Sequence, residues 1–206
     1  MALTWTDLYN EILPIVGAFP KNIALRRLYH GAREFCERSE VWQYSQTRNV
    51  VAAQAAYSLS IPSTGAIIKR LVDAWYGEKA SNEQAADLIG SEDYYFTYPA
   101  TFTLYNAYTS ALTNGLTTRV ALVPSLDDHV LTSEMMDHWG IRAFCSWTVA
   151  SICSQKDKPW TDSDQAALAR GEYSRALAEA ISEKNRKRKP GDLRVIPRFF
   201  ASGNAV

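Results

Sequence analysis

Leu25, Leu28, Tyr29, Ala32, Phe35 and Cys36 fall at i, i+3, i+4, i+7, i+10 and i+11, the spacing of one face of an α-helix. Arg26, Arg27, His30, Arg33, Glu34, Glu37 and Arg38 fill the other face. A helix with one apolar stripe must bury it against another layer, so the rest of the chain has to supply that layer. Upstream, Thr4 followed by Asp7 is a capping-box-like start, and Leu8, Tyr9, Ile12 and Leu13 repeat on one face. Pro14, Gly17 and Pro20 predict that this first helix is short and ends or kinks at Pro14.

Helical spacing returns after Leu131. Thr132 or Ser133 can cap, and Met135, Trp139, Ala143, Phe144, Trp147 and Ala150 form a broad apolar face up to about Cys153. A loop at Gln155 to Trp160 follows, then a Thr161–Asp164 capping pattern. Ala169, Tyr173, Ala176, Leu177, Ala180 and Ile181 carry the last stripe to about Lys184. Leu28, Phe35 and Trp147 sit centrally on their stripes and are expected to be buried between the two helix pairs.

Between these helical regions the period changes. Tyr57, Leu59 and Ile61 alternate with serines, Ala66 to Tyr76 reads as a second strand, and Phe102 and Leu104 alternate with threonines. Tyr94 to Thr118 carries no charge and is rich in tyrosine, phenylalanine and threonine, which suit a half-buried pleated surface. Arg119 to Val123 adds a strand stopped by Pro124. Five to seven short strands in a small sandwich or barrel-like sheet are expected. The fold class is therefore α+β. An antiparallel bundle of about four helices, from residues 1–42 and 129–189, accepts an inserted β-rich module, 43–128. Residues 190–206 follow Pro190-Gly191 as an extended C-terminal arm, too short for a core of its own.

At 206 residues the chain can bury roughly 70% of its unfolded surface, so no staple is needed. No eighteen-residue apolar run and no basic-then-apolar start occur, which predicts neither a membrane span nor a secretion signal. Three cysteines, Cys36, Cys145 and Cys153, lie in apolar helical contexts and read as reduced, buried thiols.

Motifs for chemistry are sparse. Gly-rich phosphate loops, G-x-S-x-G, H-E-x-x-H and C-x-x-C are all absent from the sequence. Cys145 and Cys153 are too far apart for a zinc pair without histidines, and His30 with Glu34 reads as a solvated i,i+4 pair. Asp127-Asp128-His129 precedes a helix, where acids favour the dipole, and no nucleophile is placed beside it. The tyrosines of the central span could stack on sugars or bases, but cross-strand packing explains them with fewer assumptions. No catalytic residue, metal or cofactor is expected.

One segment stands apart. Lys and Arg balance Asp and Glu at 22 each, yet Lys184 to Arg198 holds seven basic residues against Asp192 alone. The remaining fifteen basic and twenty-one acidic residues leave the body at −6. The basic patch Lys184, Arg186, Lys187, Arg188 and Lys189 suits either a helix C-terminus or a nucleic-acid contact. Arg194, Val195, Ile196, Pro197, Arg198, Phe199 and Phe200 then alternate basic and apolar residues around a proline, the pattern of an arm that adds to a partner's surface.

Three segments carry a resemblance. ALRRLYHGAREFCERSEVW, Ala24 to Trp42, resembles the A-L-R-x-A-A-R-E-F-C-x-x-T-x-x-W signature of phage head–tail adaptor proteins, with Ala32 kept and Ser39 in the threonine's place. Lys158-Pro159-Trp160-Thr161-Asp162 resembles that family's K-P-W-x-D-P segment, with Ser163 where the family has proline. Leu193 to Phe199 resembles its R-V-x-P-R-x-F tail. The resemblance implies a non-enzymatic virion protein, made in the host cytoplasm and built into the neck of the particle. It implies a ring, typically of twelve copies, between the portal protein and the tail tube or nozzle protein. DNA would pass through without specific binding, and the C-terminal arm would dock on the portal. A nucleic-acid-binding module using residues 184–189 is the alternative from a different class.

Overall fold

The computed structural model describes residues 3–17, 19–61, 65–77, 87–89, 93–125, 127–128 and 130–187. It is mixed α+β, with four helical rods and two antiparallel sheets. α1 is Trp5–Val16 and α2 is Lys21–Ser39. The strands follow: β1 Gln43–Val50, β2 Ala56–Ser58, β3 Ala66–Tyr76, β4 Asp87–Leu88, β5 Tyr94–Thr97, β6 Thr101–Leu104 and β7 Leu112–Pro124. The third rod runs without a break through α3 Ser133–Trp139, a π-helical segment Gly140–Cys145 and α4 Ser146–Cys153. α5, Ser163–Lys187, is the fourth. The described helices therefore lie on both sides of the strands in sequence. The extended arm, residues 190–206, lies outside the described residues.

Thr4 closes the expected capping box with Asp7: its hydroxyl accepts the Asp7 amide at 3.2 Å, and the Asp7 carboxylate accepts the Thr4 amide at 2.8 Å. Thr4→Ala is expected to lower stability by about 1 kcal/mol, measurable by chemical denaturation. The helix does not stop at Pro14. Leu8, Tyr9, Ile12 and Val16 form the buried face, which continues past the proline and holds the last turn in place. Leu13 points outward instead, and Gly17, at φ +59°, ends the helix by donating to the Leu13 carbonyl. The second capping site also differs from expectation. The Asp162 carboxylate accepts the amides of Asp164 and Gln165, both at 3.0 Å, and so starts α5. Thr161 instead accepts the Lys158 amide at 2.9 Å, which ties the turn together.

α2 is central. Leu28, Ala32, Phe35 and Cys36 are buried as their spacing predicts, with Ala24, Gly31 and Ser39 beside them. The third rod passes so close that a Cβ at Gly31 would stand 2.8 Å from a ring carbon of Trp147. Trp147 is nevertheless only partly buried, on the rim and not in the centre of the bundle.

The larger sheet has the order β1-β7-β3-β4 and the smaller β2-β6-β5. β7 is one thirteen-residue strand that begins at Leu112, ahead of the Arg119 start expected from the sequence. Arg119 does not interrupt it, because Asp73 of β3 pairs with its guanidinium at 3.1 Å and the Trp75 ring lies 4.7 Å beneath. Val120 to Val123 are all buried, as suits an inner strand with α2 packed against it. The Trp42 carbonyl accepts the Leu122 amide at 2.8 Å, which pins the exit of α2 onto the sheet.

Helices and sheet are also joined through Glu40. This residue sits at the α2 C-cap with φ +51° and takes hydrogen bonds from Arg70 of β3 and, at 3.3 Å, from Lys184 of α5. The Arg70 hydrogen bond, aided by the charges of Arg70 and Lys184, holds the Glu40 carboxyl below the usual glutamate range. A depressed folded-state value means this joint contributes fully above the unfolded value near 4.5 and is lost as pH falls through the folded one. Glu40→Gln should therefore flatten the acid limb of a stability–pH curve below about pH 4.5. An unchanged limb would contradict the joint.

Candidate functional site

Of the basic patch, Lys184 and Arg186 are described in full and Lys187 closes α5; Arg188 and Lys189 lie outside the described residues. Lys184 is not a free surface cation. Its side chain is only 14% exposed and committed to Glu40, so it serves the joint between α5, α2 and β3. Arg186 is exposed further along the same helix. The proposed arm contact, Arg194, Val195, Ile196, Pro197, Arg198, Phe199 and Phe200, also lies outside the described residues. Its covalent origin is fixed all the same: Lys187 ends a 25-residue helix of about 37 Å whose last turns lie beside the helix–sheet joint.

The other sequence candidates are scattered. Asp127 and Asp128 are exposed, and His129 lies outside the described residues. Asp137 accepts the Leu3 amide at 2.7 Å, while Trp139 is core. All three cysteines are buried free thiols. Burial pushes the Cys145 thiol up to about 12, with Glu11 adding to the shift, and raises Cys36 and Cys153 as well. None is a thiolate at neutral pH. Among the described residues no group of three or more His, Cys, Asp or Glu side chains could hold a metal, and no helix is long and apolar enough to cross a membrane. Of the tyrosines in the central span, Tyr94 packs across strands, 5.1 Å from Phe102, and Tyr108 stacks on Tyr76 of β3 at 3.7 Å. Tyr95 and Tyr105 pair at 5.4 Å but stay exposed, as does Tyr98.

One concave surface was not anticipated. A groove of about 670 Å³ runs along the outer face of α2 against Trp147. Arg26, Arg27 and Arg33 contribute cations, His30 adds an imidazole, and Ile23 with Trp147 forms an apolar floor. Glu34 and Glu37 complete the lining, but both are already taken by i,i+4 partners on the same helix, Arg38 at 3.3 Å and Arg33 at 3.1 Å. Arg27 donates to the Ser151 hydroxyl, and its Nε is buried without an acceptor. The sequence signal was present as the i, i+3, i+4, i+7 spacing of Ile23, Arg26, Arg27 and His30. It reads as a solvated face until α4 is laid beside it.

No family model matches the chain, and no curated protein matches it.

Proposed function

We propose that this protein is a head–tail adaptor of a tailed phage. It would act without catalysis, as a ring of copies that joins the portal to the tail and leaves a channel for DNA. One observation carries the reading: α2, which holds the first resembling segment, packs against α4 and α5, which flank the second. Trp160 of the Lys158–Asp162 turn meets Phe19, just ahead of α2, edge to face at 4.9 Å. Its indole N–H donates to Gln155 at 3.1 Å, so the turn is anchored at both sides of the ring. The third segment continues beyond α5, where an arm can leave the body. The −6 body supports a conduit role, because a basic lining would bind phosphates tightly.

The test sets portal binding against DNA binding. Attachment to the portal protein encoded in the same genome should survive a rise from about 50 to about 500 mM salt, since buried phenylalanines would anchor it. Binding to an oligonucleotide through residues 184–189 would fall by orders of magnitude over such a range. Strong, salt-sensitive oligonucleotide binding without portal attachment would replace the adaptor with a nucleic-acid-binding module. The free chain should be monomeric or weakly associated, with rings completed on the portal. Light scattering that found stable dodecamers at low micromolar concentration would contradict assembly in place.

A further inference from the structure

We propose that the groove along α2 receives the acidic loop that leads into α3 from a second copy of this chain. This inference rests on the ring reading and supplies a contact between neighbouring copies. The groove has unspent cations. Arg26 is exposed with no ion pair to a described residue, and Arg27 has the Ser151 hydroxyl but no carboxylate partner among the described residues. The floor is unusually apolar for a charged face: Ile23 is 44% exposed, and Trp147 is open on its outer side. Tryptophan and arginine around a small hollow are the residue types that carry binding energy at protein interfaces. Phosphate binding would use the arginines but would gain nothing from Ile23, so a carboxylate-bearing segment with an aliphatic side chain fits better.

The same chain presents such a segment. Residues 125–137 contain Asp127, Asp128, Glu134 and Asp137 and no lysine or arginine. Asp127, Asp128 and Glu134 are exposed and make no ion pair to a described residue. Val130, between them, is 40% exposed. Gly65, at φ +85°, underlies the loop: a Cβ there would stand 2.7 Å from the Val130 Cβ and 3.0 Å from the Asp128 Cβ. Val130 and Asp128 thus pack against the turn just ahead of β3, with Val130 leaning on Gly65 and still partly open to solvent beside the exposed carboxylates. Carboxylates would meet Arg26 and Arg27 while Val130 covers Ile23 and Trp147. Groove and loop are different patches, so the contact is heterologous and repeats from copy to copy, closing into a ring when the rotation allows. Exposed charge pairs and one small hydrophobe give a weak single contact, which agrees with assembly on the portal.

Disulfide trapping tests the pairing, and the buried native thiols will not compete. Arg26→Cys and Asp128→Cys chains, otherwise full length, are mixed at high concentration under mild oxidation, with each variant alone as control. The mixture should give at least about fivefold more cross-linked dimer than either variant alone. The yield should fall several-fold in about 1 M salt, and again when Arg27→Gln is added to the Arg26→Cys chain. Dimer from either variant alone in equal yield would mean a symmetric contact and overturn the proposal. Absence of the mixed dimer would also overturn it, as would protection of the Arg26→Cys thiol by a single-stranded oligonucleotide, which would make the groove a nucleic-acid site. Portal decoration by the full chain is read separately. Decoration without the mixed dimer removes only this contact; a mixed dimer without decoration removes the adaptor role.

Discussion

Phe35→Ala is expected to destabilise the protein by about 3–5 kcal/mol, the range for emptying a fully buried aromatic site. Phe35 has no exposure, and three rings from two other rods surround it: Trp139 at 5.1 Å, Phe144 at 5.7 Å and Tyr173 at 6.3 Å. Those neighbours belong to separate helices fixed by their own contacts, so they cannot close over the space together. Loss of transfer energy and of ring–ring contacts therefore add. A domain of this size has only about 5–15 kcal/mol in total, so the variant should unfold at much lower denaturant concentration. A measured loss under about 1 kcal/mol would mean that α2 does not face the third rod and α5 as described.

Deleting residues 190–206 should have the opposite profile, leaving stability nearly unchanged and abolishing portal attachment. Two phenylalanines and a few aliphatics are too little apolar surface to offset a backbone ordering cost of about 1–2 kcal/mol per residue, so the body should not depend on them. On a portal, Phe199 and Phe200 would fill apolar hollows while Arg194 and Arg198 pair with carboxylates. Arms from every copy of a ring would act together, turning modest single-arm affinity into a durable joint. Thermal melts and portal co-sedimentation of the truncated chain check both halves. A truncated chain that still attaches would show that the helical body makes the contact, and one that unfolds would show that the body depends on these residues.

The parts of the fold that are legible in the sequence are those that depend on local periodicity. The α2 stripe is the clearest case, because a regular 3.6 spacing survives any arrangement of partners. Trp147 departs from its expected central place for an equally physical reason. The π-helical segment Gly140–Cys145 puts an extra residue into the turn and shifts the phase of the helix beyond it. Phe144, Thr148 and Ile152 then face inward, and Trp147 rotates to the rim. β1 carries no strand signal of its own because QYSQTRNV is polar on both faces, with only Gln46 and Val50 buried; its partner β7 makes it a strand. Arg119 reads as the start of the last strand and not as its interior because Asp73 and Trp75, which compensate it, lie more than forty residues away. The groove is illegible for the same reason as β1: its cations are local to α2, but its floor comes from the third rod.

Negative-stain microscopy of the full chain mixed with the portal protein from the same genome tests the adaptor role most directly. The account predicts an added ring of density on the tail-facing end of each portal, with the portal's own rotational symmetry and an open central channel. Portals left bare at saturating concentrations of folded, full-length protein would contradict it.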